Sequence, residues 1–227
     1  MHSIAIALVT ILLVSAGCAT TGTVQVKKGE DLLANSQKCI VSLDQLSYEQ
    51  VNPGERIKVA FDEQSTVLQE GEKRCFVKGF ALPTGKGAYS VSITSFKGGT
   101  ILDPAIMYPE VRILDKNYRV IRTLPHTDFV FRSSRTQEGL NTVFFVNHNS
   151  QGESFLLITN RPMGEAGLIA SQVNVTGSAP IVVPFPGGFA MWFVPTGSNT
   201  PPIKMKASPT GQMEVELKEY RPKKVGE

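Results

Sequence analysis

Few residues of this 227-residue chain could carry chemistry, and the most telling is a cysteine that closes a short apolar run. Ile4 to Val14 is apolar, Ser15-Ala16-Gly17 is small, and Cys18 follows. An apolar core, then small residues, then a cysteine at the cleavage point is the pattern of a bacterial lipoprotein signal. On this reading residues 1–17 are removed and Cys18 carries the lipid, palmitate included, that tethers the mature chain outside the cytoplasm. The run is too short to cross about 30 Å of hydrocarbon, which takes about 20 residues. Neither Lys nor Arg precedes it. Ala19 stands where an Asp would favour retention at the inner membrane, so the outer membrane, facing the periplasm, is the expected location.

The other two cysteines, Cys39 and Cys75, form an even pair in an oxidising compartment, and a disulfide between them is expected. Such a bond would contribute roughly 3 to 4 kcal/mol by restricting the unfolded chain. Two buried free thiols are the alternative. Neither cysteine has a neighbouring His, which argues against a catalytic thiol.

No other constellation points to catalysis or to a metal. His126 and His148 lack metal-ligand spacing, and His2 falls in the signal. There is no Gly-x-Ser-x-Gly elbow and no phosphate loop; Gly85-Lys86-Gly87 reads as a turn. Asp103, Glu110, Asp115 and Asp128 could act in glycoside hydrolysis only if the fold paired them. Asp115 is better explained as a turn residue. Asn174-Val175-Thr176 matches a glycosylation sequon, which has no meaning in a bacterial lipoprotein. No cofactor is called for. Aromatic faces that could stack on sugars are Tyr108, Tyr118, Phe189 and Trp192. Trp192 and Phe189, with Tyr108, make the candidate ligand site, because the first two lie in a Gly/Pro-rich stretch; Tyr118 and Trp192 read first as packing residues. The balance of 23 basic and 20 acidic residues, net +3, is too small to argue for a nucleic-acid partner, and none is expected.

Positioning these residues falls to a chain that reads as mainly β. Residues 18–28 are small and polar and read as a flexible tether. Residues 29–38 could form one or two helical turns on Leu32 and Leu33. Tyr89, Val91 and Ile93 alternate with Ser90, Ser92 and Thr94, as in a half-buried strand. Glu110 to Leu114 and Tyr118 to Thr123 flank Asp115-Lys116-Asn117 as a hairpin. Thr142 to Val146 and Phe155 to Ile158 are apolar on both parities, as central strands would be. Met213, Val215 and Leu217 alternate in a closing strand. Between Pro162 and Pro202 the pattern dissolves into a long Gly/Pro-rich loop region, with a helix conceivable over Met163 to Val173. The expected fold is an antiparallel β-sandwich, Ig-like or jelly-roll-like, with a short N-terminal helical segment. It forms a single domain over 29–221, with its core about 75–220 and a basic tail at 222–227.

Several stretches taken in order resemble one family. They are Leu43-Asp44-Gln45-Leu46-Ser47-Tyr48, Phe80-Ala81-Leu82-Pro83 leading into Tyr89 to Ser95, Pro109-Glu110-Val111-Arg112-Ile113-Leu114-Asp115-Lys116-Asn117-Tyr118, Phe129 to Phe131, and Ser208-Pro209-Thr210-Gly211. The chain is similar to the periplasmic protein encoded in bacterial maltose operons, with its lipoprotein relatives. The resemblance implies a non-enzymatic accessory protein of the envelope linked to maltodextrin uptake. The alternative is a carbohydrate-binding module for maltodextrin-like glycans, and a hydrolase is remote. Expected partners are the membrane, through the lipid, and envelope proteins or glycans.

Overall fold

The computed structural model describes residues 21–84, 87–124, 128–133, 138–147, 152–160, 168–171, 176–185, 188–197 and 203–220, with residues 133 and 168–204 described by backbone alone. Two sheets lie together in a sandwich-like arrangement. In the first, the order is β1 (Cys39–Ile40), β4 (Thr66–Glu70), β5 (Lys73–Ala81), β12 (Phe155–Asn160), β8 (Pro109–Leu114) and β9 (Val120–Leu124). A short β2 (Tyr48–Gln50) also joins β5. In the second, β10 (Val130–Ser133), β11 (Glu138–Val146), β6 (Tyr89–Gly99), β7 (Pro104–Met107), β16 (Ile203–Ser208) and β13 (Leu168–Ser171) follow one another. β17 (Gly211–Glu219) lies between β6 and β3 (Arg56–Phe61). A two-stranded hairpin of β14 (Thr176–Phe185) and β15 (Gly188–Gly197) completes the described strands.

The period of two decides the faces. Tyr89, Val91, Ile93 and Ser95 of β6 are buried, as are Met213, Val215 and Leu217 of β17 and Ile57, Val59 and Phe61 of β3. The apolar members of these rows meet Phe76, Phe80, Val111, Ile113, Leu156 and Ile158 of the first sheet in one core. Ser95 is tolerated there because its hydroxyl donates to the Met107 carbonyl at 2.7 Å. The second sheet turns a polar face to solvent, where Glu216 pairs with Arg56 and with Lys218, each at 2.8 Å. The first sheet is apolar on both faces. Its outer side carries Leu68, Cys75, Val77, Leu114 and Leu157, and the segment around residues 40–48 covers it through Ile40, Leu43, Leu46 and Tyr48. Gly79 permits this cover: a Cβ there would fall 2.7 Å from the Tyr48 ring.

Arg122 of β9 ties the sheets together. Its Nη2 donates to the Phe145 carbonyl of β11 at 2.5 Å and pairs with Glu153 at 3.0 Å, and its guanidinium lies 5.8 Å from the Phe144 ring centroid. Glu153 is 1 % exposed and also accepts the Asn147 N–H. Burial of this carboxylate is sustainable only with such partners.

Several expectations are corrected. Helix α1 runs Gly22–Asn35, so residues 22–28, expected within a flexible tether, are helical. Three contacts fix it: Thr21 Oγ1 accepts the Val24 N–H at 3.3 Å, Gly22 donates to the Asp103 carbonyl at 2.7 Å, and Arg74 caps the Ala34 and Ser36 carbonyls. The sandwich is not purely antiparallel, because β1–β4, β2–β5 and β7–β16 pair in parallel. The long loop region instead holds the β14–β15 hairpin, and Leu168–Ser171, expected in a helix, is strand; Met163 to Gly167 lie outside the described residues. β11 and β12, consecutive in sequence, belong to different sheets. Of the two strands expected to be covered on both faces, β12 is, whereas β11 exposes Val143 and Phe145.

The disulfide is absent: Cys39 is a free, exposed thiol and Cys75 a free, buried one. Cys39 pairs with Val67, which pairs with Phe76, while Cys75 shares the next row with Leu68 and Ile40. The two cysteines are thus two strands apart, about 10 Å at roughly 4.8 Å per strand. They also sit in adjacent rows, whose side chains point to opposite faces. A disulfide needs Cα atoms within about 7 Å. Burial pushes the Cys75 thiol up to about 12.

Maleimide titration of the folded protein should label Cys39 readily and Cys75 only after denaturation. Failure of both to react after denaturation without reductant would mean that they are bonded. Glu153→Ala should lower stability by about 2–3 kcal/mol in a denaturant titration, because Arg122 and the Asn147 N–H both lose an acceptor.

Candidate functional site

The turn after β8 is built by one carboxylate. Asp115 Oδ1 accepts the N–H groups of Arg119 at 2.9 Å and Asn117 at 2.7 Å, and these bonds, Arg119 first, hold the carboxyl below the usual range. Asp115 is therefore the turn residue expected from sequence. The turn places Tyr118 in the left-handed region, at φ 61°, which costs a non-glycine residue about 1–2 kcal/mol. Stacking compensates. The Tyr118 ring lies 5.0 Å from Phe155 at 16° and 5.4 Å from Tyr48 at 28°. Tyr48 and Phe155 are 4.5 Å apart. The Tyr48 hydroxyl donates to the Leu43 carbonyl at 3.0 Å, and burial pushes its pKa up.

Beside this stack is an open groove of about 490 Å³, lined by Val41, Ser42, Leu43, Asp44, Leu68, Glu70, Asn117 and Tyr118. It joins an aromatic residue to two carboxylates, an amide and a hydroxyl. Arg112 fixes one carboxylate: its Nη1 and Nη2 bind Glu70 at 2.5 and 3.0 Å while its Nε binds Glu110 at 2.8 Å. The Arg112 hydrogen bond holds the Glu70 carboxyl below its ordinary range. Glu70 is therefore an acceptor at neutral pH and a poor proton donor. Asp44 accepts a bond from the Ser42 hydroxyl. An aromatic face ringed by planar acceptors and donors is suited to hold a polyhydroxylated ligand. A slightly larger cavity, about 520 Å³, is lined by Glu49, Asp62, Gln64 and Lys78 among others, but its one ring, Phe61, is 2 % exposed.

The residues proposed from sequence fare differently. Tyr108 lies between β7 and β8, partly buried against the main core, and does not line the groove. Phe189 and Trp192 lie on β15, opposite Pro184 and Ile181; their side chains fall outside the described residues. Asp103 receives Thr23 and Lys206 at the start of α1, and Glu110 shares Arg112 with Glu70, which engages both carboxylates. Asp128 is exposed, and His126 and His148 lie outside the described residues. Among the described residues no cluster of His, Cys, Asp or Glu could hold a metal, and no helix is long and apolar enough to cross a membrane. Sequence reading missed Ser42, Asp44, Glu70 and Asn117. The Asn117-Tyr118 pair after a turn was a visible signal; its meeting with residues 41–44 was not.

Residues 72–164 match the family model described as maltose operon periplasmic protein precursor (MalM). The match begins just before β5 and ends just beyond β12, taking in strands of both sheets, Arg112, Asn117 and Tyr118. Over this stretch the chain is MalM-like, and the family is described as periplasmic and of the maltose operon. No curated protein and no solved structure matches the chain.

The Glu70–Arg112 pair gives a pH test. Glu70's folded pKa lies below its ordinary 4.5, so the pair's contribution is complete above that value and is lost as pH falls through the folded pKa. Glu70→Gln should cost under about 1 kcal/mol at pH 7, since the pair is partly solvated. The gap between wild type and variant should shrink on acidification below about pH 4 in parallel thermal melts.

Proposed function

From a MalM-like core and a lipoprotein signal, we propose that this protein is a lipid-anchored, non-enzymatic accessory protein of the envelope that serves maltodextrin uptake. The observation that carries the role is the family match over residues 72–164; the one that carries the anchor is the Val14-to-Cys18 motif. The Cys75 thiol is neutral at physiological pH, Glu70 is held ionised, and Asp103 and Asp115 serve local structure.

A second reading, glycan capture, is favoured by the Tyr118 groove. α-Linked glucose offers an apolar ring face for an aromatic side chain and equatorial hydroxyls for Asp44, Glu70 and Asn117. The groove lies on the first sheet's outer side, away from the core, so occupancy requires no opening of the sandwich.

Feeding labelled palmitate should label the wild-type protein and not Cys18→Ala, which should move to the soluble periplasmic fraction; an unlabelled wild type would refute the anchor. Calorimetric titration with maltodextrins tests the groove. Tyr118→Ala should weaken binding by about 1–3 kcal/mol, and Asn117→Ala, exposed and outside the stack, should weaken it without lowering the melting point. Binding unaffected by both substitutions would place the glycan elsewhere, and no heat with any maltodextrin would remove the second reading.

A further inference from the structure

The turn between β6 and β7 presents two consecutive apolar side chains to solvent: Ile101 is 87 % exposed and Leu102 is 96 % exposed. Tight turns are normally tipped with polar or small residues. This one is rigidly held. Gly99 takes φ 78°, and a Cβ there would fall 2.4 Å from the Asp103 carbonyl oxygen. Asp103 donates to Thr100 Oγ1 at 3.0 Å, and the Thr100 N–H reaches the Asp103 carbonyl at 3.2 Å.

The same turn is locked to the start of α1. Asp103 Oδ2 accepts the Thr23 N–H at 2.9 Å and hydroxyl at 2.7 Å, its carbonyl accepts the Gly22 N–H, and Lys206 pairs with Oδ1 at 2.8 Å. These bonds hold the Asp103 carboxyl well below the usual range. The polar groups of the turn are thus used internally, leaving Ile101 and Leu102 pointing away. Next to Thr23, Val24 is 54 % exposed, and Lys27 is exposed one helical turn further on.

The chain that enters α1 here is the chain that would carry lipid. Cys18 is three residues before Thr21. At 3.8 Å per Cα step those residues span at most about 11 Å, so a lipid on Cys18 brings this end of the molecule to the bilayer. We propose that the Ile101-Leu102 turn is a membrane-docking element that inserts into the bilayer interface beside the anchor, with Lys27 facing anionic headgroups. It adds an apolar contact to the lipid and fixes the orientation of the domain on the membrane. The inference rests on the lipid anchor proposed above and is independent of the glycan groove.

The test uses the full lipidated chain on phosphatidylethanolamine/phosphatidylglycerol vesicles with brominated acyl chains. Leu102→Trp should show indole quenching beyond that of wild type, whose baseline is Trp192. Lys116→Trp, in the exposed turn after β8, should not. Ile101→Glu combined with Leu102→Glu should shorten residence on the vesicles by about 10-fold or more. Equal quenching at 102 and 116, or unchanged residence of the double variant, would overturn the docking turn. Palmitate labelling of Cys18 separates the two readings. A labelled chain without quenching at 102 removes the docking turn and leaves the anchor, whereas an unlabelled chain removes both.

Discussion

A sheet that is apolar on both faces cannot stand at the surface of a two-layer sandwich unless something covers its outer side. The first sheet meets that condition with the core on one face and the 40–48 segment on the other. Leu46 and Tyr48 press onto Gly79, where any side chain would collide with them. That close approach sets the position of Tyr48, and Tyr48 in turn supports the Phe155 and Tyr118 rings. The strained backbone at Tyr118 is held by the stack and by the Asp115 turn acting from opposite sides. The groove is a product of this cover: one wall is the covering segment, the other the turn after β8.

Charge plays a local part throughout. The net charge is only +3. The ion pairs instead act as fasteners: Arg122–Glu153 between the sheets, Arg112–Glu70 across the outer face, and Lys206–Asp103 at the mouth of α1. Each joins segments distant in sequence, and Glu153 alone of the three carboxylates is fully buried. The Arg122–Glu153 attraction is offset by the desolvation of Glu153, which is 1 % exposed.

The two ends of the chain's chemistry are spatially separate. The Ile101-Leu102 turn lies against the start of α1, whereas the Tyr118 groove belongs to the outer side of the first sheet. The family match spans strands of both sheets yet omits residues 41–44 and Glu70, so the groove combines a family turn with a flanking segment outside the match.

Local rules wrote much of this protein directly into its sequence. Alternation specified β6 and β17, because burial on one face requires period two, and Asp115 announced its turn, because a short carboxylate caps neighbouring N–H groups. Other features depended on which strands became neighbours, and periodicity is silent about that. Cys39 and Cys75 are an even pair in sequence, but the β1–β4–β5 order separates them and turns them to opposite faces. The polar-looking residues 22–28 became helix because Asp103 and Gly98-Gly99, far along the chain, receive them. The Gly/Pro-rich stretch hid the β14–β15 hairpin because its prolines and glycines blur the alternation that marks a strand. Asp44, Glu70 and Tyr118 acquired a common groove only through pairing of β4, β5, β12 and β8. Tertiary structure decided the site because the interactions that assemble it are long-range, whereas sequence patterns report only on neighbours along the chain.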